Sequence, residues 1–210
     1  MCARFRSIED YAQLPHILRW NALPNFEFNP NVAPTEQVPI FLTDAGEKVA
    51  RLGRFGIPMS GPDGKPRAPL LNNRTDTLLK GSFKTLLAKQ RCIIPAQGFY
   101  EWREENGKKQ PYYFYRKDDK PILFCGLWDY RDVKGDRVVS FSILTDDPNE
   151  LVAPYHDRMP VIVDDPTAWL DLNGKGLQTI QPLGADAFAI RPMNPAMNKP
   201  TVKELSLIEP

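Results

Sequence analysis

Twenty-one prolines distributed along 210 residues constrain this chain more than any other feature. Each removes a backbone donor and holds φ near about −65°, so neither a long helix nor a central strand passes through one unchanged. Short strands joined by turns are the architecture that tolerates such punctuation, and the pattern between the prolines agrees. Apolar alternation marks strands at Val38–Leu42, Lys48–Ile57, Cys92–Pro95, Phe99–Arg103, Pro111–Arg116, Ile122–Trp128, Val138–Thr145, Met159–Val163 and Ala187–Arg191, the last leading into a polar tail. Asn106-Gly107 is a type I′ hairpin signal between two of them. Ser7-Ile8-Glu9-Asp10 resembles a capping box for a short helix ending near Pro15. Thr75 or Asp76 is placed to cap a helix through Lys89, with Leu78, Leu79, Phe83, Leu86 and Leu87 on one face. Asp147–Leu151 reads as a helical turn, and Asp165-Pro166 opens a short helix through Leu172. Residues 22–37 read as an irregular wrapping loop and Gly61–Pro69 as an exposed functional loop. With no internal repeat and no linker, the expectation is one α+β domain over 1–210, β-rich, with a mixed, mostly antiparallel barrel-like sheet and short flanking helices.

Composition narrows the functional classes. A hydrophobic fraction of 42% supports a packed core, and no apolar run approaches a membrane span of about 18 residues. The chain therefore reads as soluble and not exported, with the cytoplasm as its expected compartment and a monomer as its expected state. Three cysteines without CxxC spacing argue against a disulfide framework or a zinc site, and Cys92 and Cys125 read as small core residues. No cofactor is expected: there is no P-loop, GxGxxG, HExxH or GxSxG. A net charge of +1 excludes a nucleic-acid binder that relies on bulk basicity. Any nucleic-acid site must be local, drawn from Arg4, Arg6, Arg51, Arg54, Lys65, Arg67, Arg74, Lys80 and Lys84.

Cys2 carries the most distinctive chemistry. Removal of Met1 would leave a cysteine with a free α-amine, whose pKa near about 8 keeps far more of it neutral at neutral pH than a lysine at about 10.4. The neutral amine attacks an aldehyde to give a Schiff base, and the adjacent thiol closes a five-membered thiazolidine with a large proximity advantage. His156, in Pro154-Tyr155-His156-Asp157-Arg158-Met159-Pro160, sits on a polar loop where it can shuttle protons, whereas His16 has no such surroundings and reads as structural. Glu101 is flanked by Tyr100 and Trp102; among apolar walls its pKa rises and it serves as acid and base in turn, while on an edge strand it would merely face water. Asn72 and Arg74 precede a helix start, where an amide and a guanidinium either gather around an anion or act as ordinary turn residues.

Five strings in order, Met1-Cys2-Ala3-Arg4-Phe5, Asn31-Val32-Ala33-Pro34, Asn72-Asn73-Arg74-Thr75-Asp76-Thr77, Cys92-Ile93-Ile94-Pro95-Ala96-Gln97-Gly98-Phe99-Tyr100-Glu101-Trp102 and His156-Asp157-Arg158-Met159-Pro160, resemble the SOS-response-associated peptidase (SRAP) family of abasic-site processing proteins. The resemblance implies covalent trapping of the abasic-site aldehyde in single-stranded DNA, with autopeptidase removal of Met1. It implies Cys2 as nucleophile, Asn72 as the group that orients it, Glu101 as acid and base, and His156 as the assistant in Schiff-base chemistry and reversal. Arg4, Arg74 and Arg158 would meet the DNA. The sequence departs from the family pattern at Ala3, where a glycine is usual, at Phe28-Asn29-Pro30, where an arginine is expected, and at Arg54-Phe55-Gly56-Ile57-Pro58, where tryptophans are expected. Phe55, Pro58 and Met59 then remain as the apolar residues that would wedge or stack against DNA.

Two other readings stay open at this level. A cysteine peptidase or hydrolase using Cys2 and His156 predicts turnover of an amide and a thiol-dependent burst. A noncovalent single-stranded DNA-binding module predicts salt-sensitive affinity indifferent to Cys2.

Overall fold

The longest strand in the computed structural model runs through two segments that the sequence divides at a proline. The structure describes residues 2–10, 14, 18, 23–79, 83–174, 176–178 and 180–209; Met1, most of the helix expected to reach Pro15, His16 and Lys80 lie outside the described residues. In chain order the strands are β1 (Phe5–Ser7), β2 (Gln37–Asp44), β3 (Glu47–Phe55), β4 (Ile57–Ser60), β5 (Pro66–Leu70), β6 (Asn72–Arg74), β7 (Arg91–Glu105), β8 (Lys108–Arg116), β9 (Ile122–Val133), β10 (Asp136–Asp146), β11 (Met159–Pro160), β12 (Ile162–Val163) and β13 (Phe188–Pro192). The helices are α1 (Phe83–Lys89), α2 (Thr167–Leu170) and α3 (Leu205–Ile208).

Pairings β9–β10, β10–β3, β3–β2, β2–β7 and β7–β9 return on themselves and close a barrel. Closure leaves these five strands no free edge. The pairings are antiparallel except for β3 and β6, which both run parallel to β10. This is the mixed, mostly antiparallel, barrel-like α+β domain expected from the sequence. β7 pairs with β9 as far as Ala96 and with β8 from Gly98 onward, so Pro95 lies just before a change of partner and does not end the strand.

Period-2 alternation sends successive side chains to opposite faces, and both faces are covered. Ile40, Leu42, Cys92, Ile94, Phe124, Phe141 and Ile143 fill one cluster, while Phe41, Ile93, Leu123, Cys125, Leu127 and Leu144 join Leu86 of α1 and Trp169 of α2 in another. Cys92 and Cys125 are free and buried, as their apolar contexts imply.

Three local expectations are corrected. The expected helix does not start as a regular α-helix: a 3-10 turn spans Thr75–Thr77, Leu79 is 65% exposed, and α1 is described over Phe83–Lys89. Of the two would-be caps, Asp76 has another partner, because Arg74 holds its carboxylate. The Gly61–Pro69 segment is largely a hairpin, with β4 and β5 paired and only its tip irregular. The polar tail folds back: Met193, Met197 and Ile208 pack with Tyr100 and Tyr113 on the outer side of β7 and β8.

Gly98 is where β1, β7 and β8 come closest. It pairs with Arg6 on one side and Tyr115 on the other, and a Cβ there would lie 2.4 Å from Phe114 O and 2.5 Å from Tyr113 Cε2. Backbone oxygen cannot step aside as a flexible side chain can. We expect Gly98→Ala to lose about 1–3 kcal/mol, the usual cost of overpacking, seen as a lower urea midpoint at unchanged m-value.

Candidate active site

β1 lies antiparallel on β7, with Phe5 opposite Phe99 and Arg6 opposite Gly98. The Tyr100 N–H donates to Arg4 O at 3.0 Å, so the chain preceding Phe5 continues along β7 toward Glu101. Cys2 ends this run fully buried in the same cluster as Phe5 and Phe99. Its carbonyl accepts from Asn72 Nδ2 at 3.0 Å. Asn72 reaches that point because β6 runs beside β10 with Asn72 opposite Ile143, and the neighbouring Asn73 Nδ2 is tied to Ser142 Oγ. Asn72 Oδ1 is buried without a hydrogen-bond partner.

Glu101 is 3% exposed and its pKa is raised from 4.5 to about 7, chiefly by burial. The amino-terminal charge opposes that shift and the Asp157 charge adds to it. Burial also pushes the Cys2 thiol well above its ordinary value, and the Glu101 charge pushes it further. The thiol is therefore protonated at neutral pH, beside a carboxyl that is partly ionised there. This is a proton donor and acceptor pair in a medium that water does not enter freely.

His156 is half-buried in the turn after β10, and burial, followed by the amino-terminal charge, lowers its pKa. Its Nδ1 accepts from the Arg158 N–H at 3.0 Å and stands 2.8 Å from Asp157 Oδ1. One nitrogen cannot serve both neighbours at once. Neutral imidazole takes the Arg158 bond through its lone pair, and protonated imidazole donates to Asp157. Asp157 thus bears electrostatically on both Glu101 and His156. Among the described residues no group of three or more His, Cys, Asp or Glu is placed to hold a metal ion.

The family model described as SOS response associated peptidase (SRAP) matches residues 1–200. This chain belongs to the SRAP family. Abasic site processing protein YoqW of Bacillus subtilis is 34% identical, over 100% of this chain and 99% of its own length. Abasic site processing protein YedK of Escherichia coli is 30% identical, over 100% of each. A Bordetella bronchiseptica protein of known crystal structure superposes with a TM-score of 0.70 at 26% identity, covering 91% of this chain and 99% of that one.

Within the SRAP barrel, the residues expected to meet DNA divide into three groups. Phe55 is a correction: it is fully buried, stacked on Phe141 at 5.3 Å and edge-on to Phe5 at 5.5 Å, so it presents no face to a base. Arg4 is a second correction. It is 7% exposed, its Nε and Nη2 donate to Asn31 Oδ1, and Nη2 also donates to Met197 O at 2.8 Å. That guanidinium holds the interior together and is not turned toward a phosphate. Met59 on β4 is half-buried against the cluster containing α1 and α2. Arg74 and Arg158 remain near the site, two residues from Asn72 and from His156 respectively. Arg74 is forked onto Asp76 with Asp147 at 3.4 Å, and Arg158 keeps a buried Nε without a hydrogen-bond partner.

Asn31, buried and bonded to Arg4, and Asp157, beside His156, carry more of the site than the sequence reading assigned them. Their presence in the motif strings was the available signal, but an asparagine that binds a distant arginine leaves no local pattern.

Because Glu101 has a raised pKa in the folded state, its burial costs nothing below about pH 4.5, where it is protonated in both states. The cost grows as pH rises toward about 7 and is complete above it, amounting to about 3 kcal/mol for a shift of this size. Unfolding by denaturant at pH 5 and pH 8 should show the native chain losing stability that Glu101→Gln retains. Equal losses in the two proteins would mean that Glu101 titrates as an ordinary surface carboxylate.

Proposed function

We propose that this chain processes abasic sites in single-stranded DNA by trapping the sugar aldehyde on Cys2 once Met1 has been removed. The observation that carries this reading is the Cys2 main chain held by Asn72 beside a buried carboxyl with a pKa of about 7. Relatives aligned over the whole chain and named abasic site processing proteins support it.

As the abasic sugar opens, the C1′–O4′ bond breaks, protonated Glu101 donates to the ring oxygen and the C1′ hydroxyl gives its proton to water, exposing the C1′ aldehyde. The Cys2 α-amine adds to that carbon, and loss of one water leaves a Schiff base. The thiol then adds across the C=N bond; its sulfur takes the carbon and its proton ends on nitrogen, so ring closure needs no further reactant. Because burial holds the thiol in its protonated form, a base must accept its proton as sulfur attacks. Ionised Glu101 and neutral His156 are the two acceptors in the site. Asn72 fixes the Cys2 carbonyl, and through it the direction of the amine and thiol. Met1 removal comes first; the small side chain at Cys2 suits a methionine aminopeptidase, and the family description as a peptidase is the ground for assigning the cut to the chain itself.

The peptidase alternative calls for a thiol with a depressed pKa beside a charged histidine, and here burial raises the one and lowers the charge of the other. A purely noncovalent DNA binder would draw on the cations nearest the site, yet Arg4 is enclosed and Arg74 is paired.

Mature protein incubated with an oligonucleotide bearing one abasic site should give a heat-stable shifted band on a denaturing gel. Cys2→Ala should give none, and Cys2→Ser at most a band that heating abolishes. Glu101→Gln should slow adduct formation by about 10²–10⁴-fold, the range for loss of a general acid and base. A native adduct matched in yield and heat stability by Cys2→Ala would rule out the thiazolidine.

A further inference from the structure

The face of the β7–β8 ribbon that carries Glu101 continues outward into a cluster that the trapping chemistry does not use. Tyr112 is the cross-strand partner of Glu101, and Arg103 lies two residues beyond Glu101 on the same face, about 6.6 Å along the strand. Tyr155, the residue before His156, folds over this rim. Its ring centroid lies 4.6 Å from that of Tyr112 and 5.4 Å from that of Phe114. The Arg103 guanidinium sits over both tyrosines, 5.2 Å from Tyr112 and 5.0 Å from Tyr155.

The hydrogen bonds of this arginine decide what it can offer a ligand. Nε and Nη2 both donate to Glu105 Oε1, Nη2 reaches Tyr112 Oη at 3.1 Å, and the Tyr112 hydroxyl donates to the same Glu105 oxygen at 2.6 Å. Its charge is met and most of its donor edge is committed, which makes it a poor phosphate ligand. The side chain is nevertheless 41% exposed. An arginine held over two tyrosines, with most of its donor edge committed, offers a base its guanidinium plane for stacking.

We propose that Arg103, backed by Tyr112 and Tyr155, is a stacking ledge for the nucleobase flanking the lesion in single-stranded DNA. This rests on the reading of the chain as an abasic-site trap, and it fills the role left open by the buried Phe55. The ledge lies between the strand that carries Glu101 and the turn that carries His156. A base seated on it keeps the neighbouring sugar close to Glu101 and His156.

The test uses mature protein and single-stranded oligonucleotides with one abasic site and 2-aminopurine on its 5′ or its 3′ side, read by fluorescence and by denaturing gel. On one side, binding should quench the 2-aminopurine. Arg103→Ala and Tyr112→Leu should relieve the quenching and raise the half-saturating oligonucleotide concentration about tenfold. Arg103→Lys, which keeps the charge and loses the plane, should behave like Arg103→Ala, while Tyr112→Phe, which keeps the ring, should resemble the native chain. Full rescue by Arg103→Lys would overturn the ledge in favour of a charge contact, and so would fluorescence that no variant changes on either side. Quenching that depends on Arg103 without any heat-stable adduct would uphold the ledge and remove the trapping chemistry.

Discussion

The N–H of Tyr100 meets the carbonyl of Arg4 at 3.0 Å, extending the short ladder by which β1 lies on β7. Everything distinctive in the site depends on that pairing. A shift of one residue would turn Phe5 away from the cluster it fills and bring Arg6 in, so burial on one face specifies the register strongly. Arg4 adds a second lock, because its guanidinium binds Asn31 and Met197 in the interior. A buried guanidinium left without those acceptors would cost several kcal/mol, so the arrangement resists loosening.

The same burial gives the site its chemistry. Glu101 would be fully ionised at neutral pH on the surface; inside the barrel mouth it is held near the point of half-protonation. The thiol beside it is restrained in the opposite sense from a peptidase nucleophile, since removal from water favours its neutral form. A trap for an aldehyde gains from this combination. In the proposed trap, the sulfur would stay quiet until nitrogen has captured the electrophile, which would limit adventitious oxidation or alkylation.

Much of this was legible in the sequence, and the failures have local causes. The aromatic neighbours of Glu101 suggested a raised pKa beside the plainer reading of a glutamate facing water, and burial decides for the former. Pro95 was read as the end of a strand because a proline usually marks one, whereas here β7 exchanges β9 for β8 just beyond it. Asp76 looked like a helix cap because no local rule reveals that Arg74 will claim its carboxylate. Phe55 resembled a DNA-facing residue by its position in the motif order, but its alternation partner Gly53 makes room for Ile40 and Phe141 on the same side, where a ring is core. Met193, Met197 and Ile208 are too widely spaced to show a period, and their partners Tyr100 and Tyr113 lie far away in sequence.

Asn31 also receives the segment that follows β13. Its amide donates to Val202 O, and Lys203 Nζ donates back to Asn31 O while pairing with Glu36. The pieces that hold Arg4 in place are thus separated by nearly the whole length of the polypeptide. During synthesis, Met197 and Val202 emerge long after Arg4, so a ribosome-bound chain has β1 without its anchor until they are made. The order of manufacture therefore delays the seating of Cys2 near Glu101 until those later residues are made, and a product released before them would lack the means to hold Arg4 in place.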